Sequence, residues 1–211
     1  MTKTEMPPTS KRFRHFATRF QCFLMAIVFV SAGSRYALAQ DGHSHTLSPQ
    51  VQEQTAEQKS QASALINIVR QATERYKDVA AAEADGYSLQ FGCVSGPDSG
   101  AMGLHYVNSA LVARGEVDPT HPQIVIYEPT ADGSLKLIGV DFLVVADAWD
   151  KKGQGPPELM GQLFHYWESP NRFGLPAFYT LHVWAWKDNP NGAFVNWHPQ
   201  VSCKQFNGQA R

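Results

Sequence analysis

Little in this chain of 211 residues advertises a chemistry. It has no C-x-x-C pair, no H-E-x-x-H, no H-x-H within a predicted strand, no glycine-rich phosphate loop, no nucleophile elbow and no Ser-His-Asp order. Each missing pattern removes a class: thiolate zinc ribbons, zincin proteases, nucleotide hydrolases, α/β-hydrolases. An excess of either charge is missing too, with 18 basic against 19 acidic residues. The basic ones crowd the N-terminus, so residues 40–211 keep 12 basic and 18 acidic groups, a net charge of −6. A mildly acidic surface is not built to neutralise phosphates, and no nucleic-acid partner is expected. Long apolar runs are absent: Cys22–Gly33 is the longest, about 12 residues where a bilayer span needs ~20. A polytopic membrane protein is not expected.

What is present at the N-terminus reads as an address. Lys11, Arg12, Arg14 and Arg19 precede that apolar run, and Ala37-Leu38-Ala39 follows it as a small-x-small site. This is the layout of a secretory signal peptide over residues 1–39, with an uncleaved membrane anchor as the alternative. Cleavage would leave a secreted or periplasmic product without a stable membrane span. Residues 40–54 then form a polar leader, in which His43 and His45 are weak metal-binding types, and residues 55–211 form one domain. Of only three cysteines, Cys22 leaves with the signal peptide. Cys93 and Cys203 remain, and in an oxidising compartment they are expected to pair. Their loop of 110 residues would be worth ~4–5 kcal/mol of chain entropy.

Thr55 with Gln58 has the form of a capping box, opening a helix expected to reach about Ala84. Leu65, Val69, Ala72, Tyr76 and Val79 give it one apolar stripe, and Asp85-Gly86 stops it. After Gly86 the periodicity changes to two. Strands are predicted at Tyr87–Phe91, Leu104–Val107, Gln123–Tyr127, Leu135–Val145, Ala177–Lys187 and Pro199–Cys203, with a hairpin turn at Asp132-Gly133 and a helical turn at Glu158–Phe164. The fold class is therefore α+β: a long N-terminal helix on a curved antiparallel sheet of five or six strands, in a single domain. Cystatin-like and cone-shaped folds are examples, and a closed barrel is the alternative.

Candidate site residues follow from residues that fit their strands badly. Ten aromatics fall between Phe164 and Trp197. Alternation along Thr180–Lys187 sends His182, Trp184 and Trp186 to one face. His105, beside Tyr106, follows the small-residue run Gly100–Gly103, which permits close approach by another strand or a ligand. Asp141 interrupts an apolar strand and needs a partner, whether a histidine, Arg172, Lys187 or a metal; Glu128 ends the strand before it. His105 and His182 with Glu128 or Asp141 make a donor set for zinc or copper, or for iron. His105, Tyr106, His182, Trp184 and Trp186 are the expected lining of a ligand pocket. His165 reads as a surface residue, and His198 stands beside Trp197.

The segments MGLHYVN (Met102–Asn108), Tyr127-Glu128-Pro129, Gly139-Val140-Asp141-Phe142 and LHVWAWKDNPNGAFVNWHPQVSC (Leu181–Cys203) resemble signatures of a family of small secreted proteins of unknown function. The resemblance covers Gly86 to Cys203 and implies that these motifs form one unit. It further implies glutamate as the usual residue at position 141 and asparagine at 198, which supports a carboxylate role at 141 and weakens a ligand role for His198. It brings no activity. Two functions stay open: a metal-dependent site, whether enzymatic or not, and a non-catalytic module of the cell envelope that binds a small molecule.

Overall fold

The computed structural model describes residues 54–208. Helix α1 spans Ala56–Thr73, and both halves of the capping box form: the Gln58 amide donates to Thr55 Oγ1 at 3.2 Å, and the Thr55 amide donates to Gln58 Oε1 at 2.9 Å. Ala62, Leu65, Val69 and Thr73 are its buried stripe. The expected single helix to Ala84 is corrected. A 3-10 turn over Glu74–Lys77 leads to a break at Asp78, whose backbone is extended and whose side chain caps a separate helix α2, Val79–Ala84. Tertiary contacts hold the break. Trp186 Nε1 donates to Thr73 Oγ1 at 3.1 Å, and the Lys77 ammonium lies 4.1 Å from the Trp186 ring centroid.

Strand β1 is Ser88–Gly96, β2 Gly100–Val107, β3 Ile124–Pro129 and β4 Leu135–Val145. Helices α3 (Ser109–Arg114) and α4 (Ala146–Asp150) are short. Where a helical turn was expected at Glu158–Phe164 there is a small hairpin, β5 (Glu158–Leu159) with β6 (Gln162–Leu163). Strand β7 (His165–Trp167), in a stretch whose sequence reads as loop, pairs with β8, Phe178–Val183. Pro199–Cys203 is not a strand; that end of the chain is held by one bridge, His198 to Ala101, and by the disulfide. Cys93 and Cys203 are bonded, with Cα atoms 5.7 Å apart.

The sheet is antiparallel throughout, in the order β1-β2-β3-β4-β8-β7, and curls into half a barrel. Two glycines allow the strands to crowd where it bends. A Cβ on Gly103 would stand 2.7 Å from the Tyr127 carbonyl oxygen, and one on Gly139 would stand 2.6 Å from that of Val183. The small residues before His105 thus admit neighbouring backbone. On the convex side α1 and α2 cover Leu104, Tyr106, Val125, Tyr127, Val140, Phe142, Leu181 and Val183. The alternate residues face a second cluster built on Ile124, Ile126, Leu143, Phe178 and Trp184.

Candidate metal centre

His105, Asp141 and His182 lie on three strands of that second face. In register, Asp141 is opposite both Ile124 and His182, while His105 is opposite Ile126. Strands β2 and β8 are separated by β3 and β4, which on a flat sheet would set His105 and His182 about 14 Å apart. Their ring centroids are 5.8 Å apart. The curl produces this convergence, since side chains on a concave face lean toward a common centre.

All three residues are buried, at 5%, 3% and 2% exposure, and one donor atom from each lies within 4.8 Å of the others. His182 Nδ1 is 3.6 Å from Asp141 Oδ1. The Thr180 hydroxyl donates to that same oxygen. His105 Nδ1 donates to the Gly103 carbonyl at 3.2 Å, since a carbonyl can only accept, and this leaves the Nε2 lone pair free. Neither ring nitrogen of His182 has a hydrogen-bond partner among the described residues. The Asn196 side chain is close enough to favour a charged ring slightly, yet its Oδ1 is unpartnered as well.

Burial sets the charge state. It holds His105 down to about 4 and His182 down to about 3. It pushes Asp141 up to about 6, against the attraction of His105 and the hydrogen bonds from Thr180 and the Leu181 amide. At neutral pH the group is therefore two neutral imidazoles and one carboxylate, with no Lys or Arg among its partners in the described residues. A buried anion without a counter-charge is costly, and a buried imidazole without partners adds to that cost. A divalent ion would relieve both. Ligands 2.0–2.1 Å from one ion stand about 3.0–3.4 Å apart. His182 Nδ1 and Asp141 Oδ1, at 3.6 Å, are almost there, and no pair need close by more than about 1.8 Å, within reach of small side-chain rotations.

The cavity beside the group has a wall of Phe91, Met102, Trp167, Phe173 and Phe178. Four aromatic contacts knit it together, with Trp167 stacked on Phe178 at 6.1 Å and Phe173 edge-on to Trp167, Phe91 and Phe178 at 5.6, 5.7 and 6.2 Å.

Several expected site residues lie elsewhere. Tyr106 is on the helix-covered face, edge-on to Tyr127 at 5.1 Å, because neighbours in a strand point to opposite sides. Trp186 packs on that side too. Strand β8 ends at Val183, a tight turn joins the Ala185 amide to the Val183 carbonyl at 2.8 Å, and alternation is lost beyond it. Trp184 stacks behind His182 at 5.8 Å without lining the cavity. Glu128 is outside the group: its carboxylate takes the Lys187 ammonium at 2.6 Å and the Ser202 amide at 3.2 Å. Lys187 is thereby unavailable to Asp141, and Arg172 lies over the Phe173 ring at 5.9 Å. His198 is fully buried against Trp184 at 5.0 Å, and His165 is exposed. Residues 1–39, His43 and His45 lie outside the described residues.

Thr180 is a site residue that sequence reasoning missed. Its position two before His182 was the available signal. Trp167, Phe173 and Phe178 carried only a compositional one.

No protein-family model, curated protein or solved structure matches this chain.

Proposed function

We propose that the protein is an exported metal-binding protein whose mononuclear centre is His105, Asp141 and His182. Zinc or copper suits two imidazoles and a carboxylate, and iron(II) takes the same set in a facial arrangement. The observation that carries the reading is His182, buried with two unpartnered nitrogens beside the equally buried carboxylate of Asp141. An ion held there would keep coordination positions on the cavity side, where it could polarise a water or a bound ligand.

Export is part of the proposal. It is supported by the signal-like residues 1–39 and by a disulfide of the kind that oxidising compartments maintain. No helix among the described residues is long and apolar enough to cross a membrane. Membership of the family of small secreted proteins rests on the four quoted segments.

Metal analysis of the purified protein after exhaustive dialysis tests the centre. About one equivalent of zinc, copper or iron is expected, falling to background in His105→Ala and His182→Ala. A wild-type protein that takes up none of the three at micromolar free ion ends the metal reading. The second reading, a small-molecule module in which the histidines only orient a ligand, is favoured by the aromatic wall and would then stand alone.

A further inference from the structure

The aromatic cavity adjoins a second space. Its own volume is about 30 Å³, room for one ion or one water. Beside it lies a groove of about 380 Å³, in the range of small-molecule sites. The two share Phe91, Ile124, Leu143, Leu175 and Phe178 as a common wall. Beyond that wall the groove is floored by Val107 and Val145 and closed on one side by Val112 and Ala113 of α3. No charged side chain among the described residues lines it; Gln90 and Ser109 are its polar groups.

Phe91 stands between the two spaces in an unusual conformation. Strand β1 carries a bulge: Gln90 pairs with His105 and Cys93 with Leu104, leaving Phe91 and Gly92 unpaired, both with positive φ (64° and 66°). A phenylalanine rarely occupies the left-handed region. Bulges of this kind re-aim side chains next to functional sites, and this one, directly after Gln90, the partner of His105, turns the Phe91 ring onto Phe173 at 5.7 Å.

We infer that the groove seats a small, uncharged, largely apolar molecule, one end of which reaches the His105–Asp141–His182 group past Phe91. The substrate class rests on the metal-centre reading only at its inner end. Charged metabolites are disfavoured because the groove offers them no counter-ion, and each ionic group would be desolvated without compensation. A flat hydrocarbon or aromatic body with one polar group fits the lining: the body against Val112, Val145 and Leu175, the polar group at Gln90 and Ser109 or inward at the metal. Phe91 is then a gate whose displacement joins the two spaces.

The test uses N-phenyl-1-naphthylamine, a neutral fluorescent probe, on the full chain with its disulfide intact, with metal content measured on the same samples. Saturable binding at micromolar probe is expected. Val112→Asp should weaken it at least tenfold while leaving metal content unchanged. Phe91→Gly suits the left-handed backbone, keeps the fold and should speed probe association at least tenfold. Probe binding that Val112→Asp abolishes in a protein without metal supports the groove and removes only the metal reading. A metal-loaded protein that binds no probe, or whose Val112→Asp variant binds it as tightly as wild type, overturns the inference.

Discussion

The two faces of one sheet carry neighbouring residues to opposite ends. Tyr106 follows His105, Phe142 follows Asp141, and Leu181 precedes His182. On the helix-covered face the tyrosine hydroxyls are closed off: Tyr87 donates to the Pro122 carbonyl at 2.7 Å and Tyr127 to the Tyr76 carbonyl at 2.6 Å. On the concave face the His182 ring has no hydrogen-bond partner among the described residues, and Asp141 leans on a hydroxyl rather than a cation. One set of strands thus supplies a satisfied core and an unsatisfied donor group. Satisfied burial is what packing selects. Donors left open at the centre of a curl are what a ligand site requires.

The sharpest way to separate the faces is to damage each alone. Leu65→Ala, at a fully buried position of α1, should cost about 2–5 kcal/mol in urea unfolding and leave the metal stoichiometry of the folded protein untouched. A loss of metal from the folded fraction would show that the faces are coupled. His182→Ala should do the reverse, lowering metal affinity by more than about 100-fold with an unfolding midpoint of the metal-free protein close to wild type. A collapse of that midpoint would assign His182 to the core. Thr180→Val removes the hydroxyl that holds Asp141 Oδ1, and a loss of about tenfold in metal affinity is expected by competition titration.

Acid and alkali should then strike different faces. Unfolded histidines take up protons near 6.5, whereas His105 and His182 do so only near 4 and 3 in the fold, so falling pH favours unfolding. Asp141 opposes this, because it binds its proton near 6 when folded and near 3.8 when unfolded. One net proton remains. The metal-free protein should lose on the order of 1 kcal/mol per pH unit between roughly 6 and 4, and His198, also held down by burial, acts in the same direction. Burial holds the Tyr87 and Tyr127 hydroxyls well above the usual tyrosine range. Only the unfolded chain would release those protons above pH ~10, so stability should fall there as well. Urea midpoints against pH measure both limbs. His105→Ala should flatten the acid limb alone.

Glu128 and Asp141 repeat the contrast at the level of single carboxylates. From the chain alone both were candidate ligands, one at a strand end and one within an apolar run. Glu128 found Lys187, brought to it by the chain returning after β8. Asp141, in the middle of β4, found among the described residues only a threonine hydroxyl and a backbone amide for hydrogen bonding, and faces two imidazoles. Which of the two met a cation depended on segments about 40 and 60 residues away, beyond any local pattern.

The sequence by itself determined what depends on near neighbours. The Thr55–Gln58 cap, the Asp132-Gly133 turn and the extent of β4 follow from interactions a few residues long. The Cys93–Cys203 pairing followed from counting, and His105, His182 and Asp141 were conspicuous because polar groups in apolar strands need a reason. Period-two alternation could assign a face only while the strand lasted, which is why Trp186, past the turn at Val183, went to the other side. Only the tertiary structure decided that the two histidines meet. Their strands are three positions apart, and the 5.8 Å between their rings is set by the curl of the sheet, a property of all six strands together and of no segment in particular.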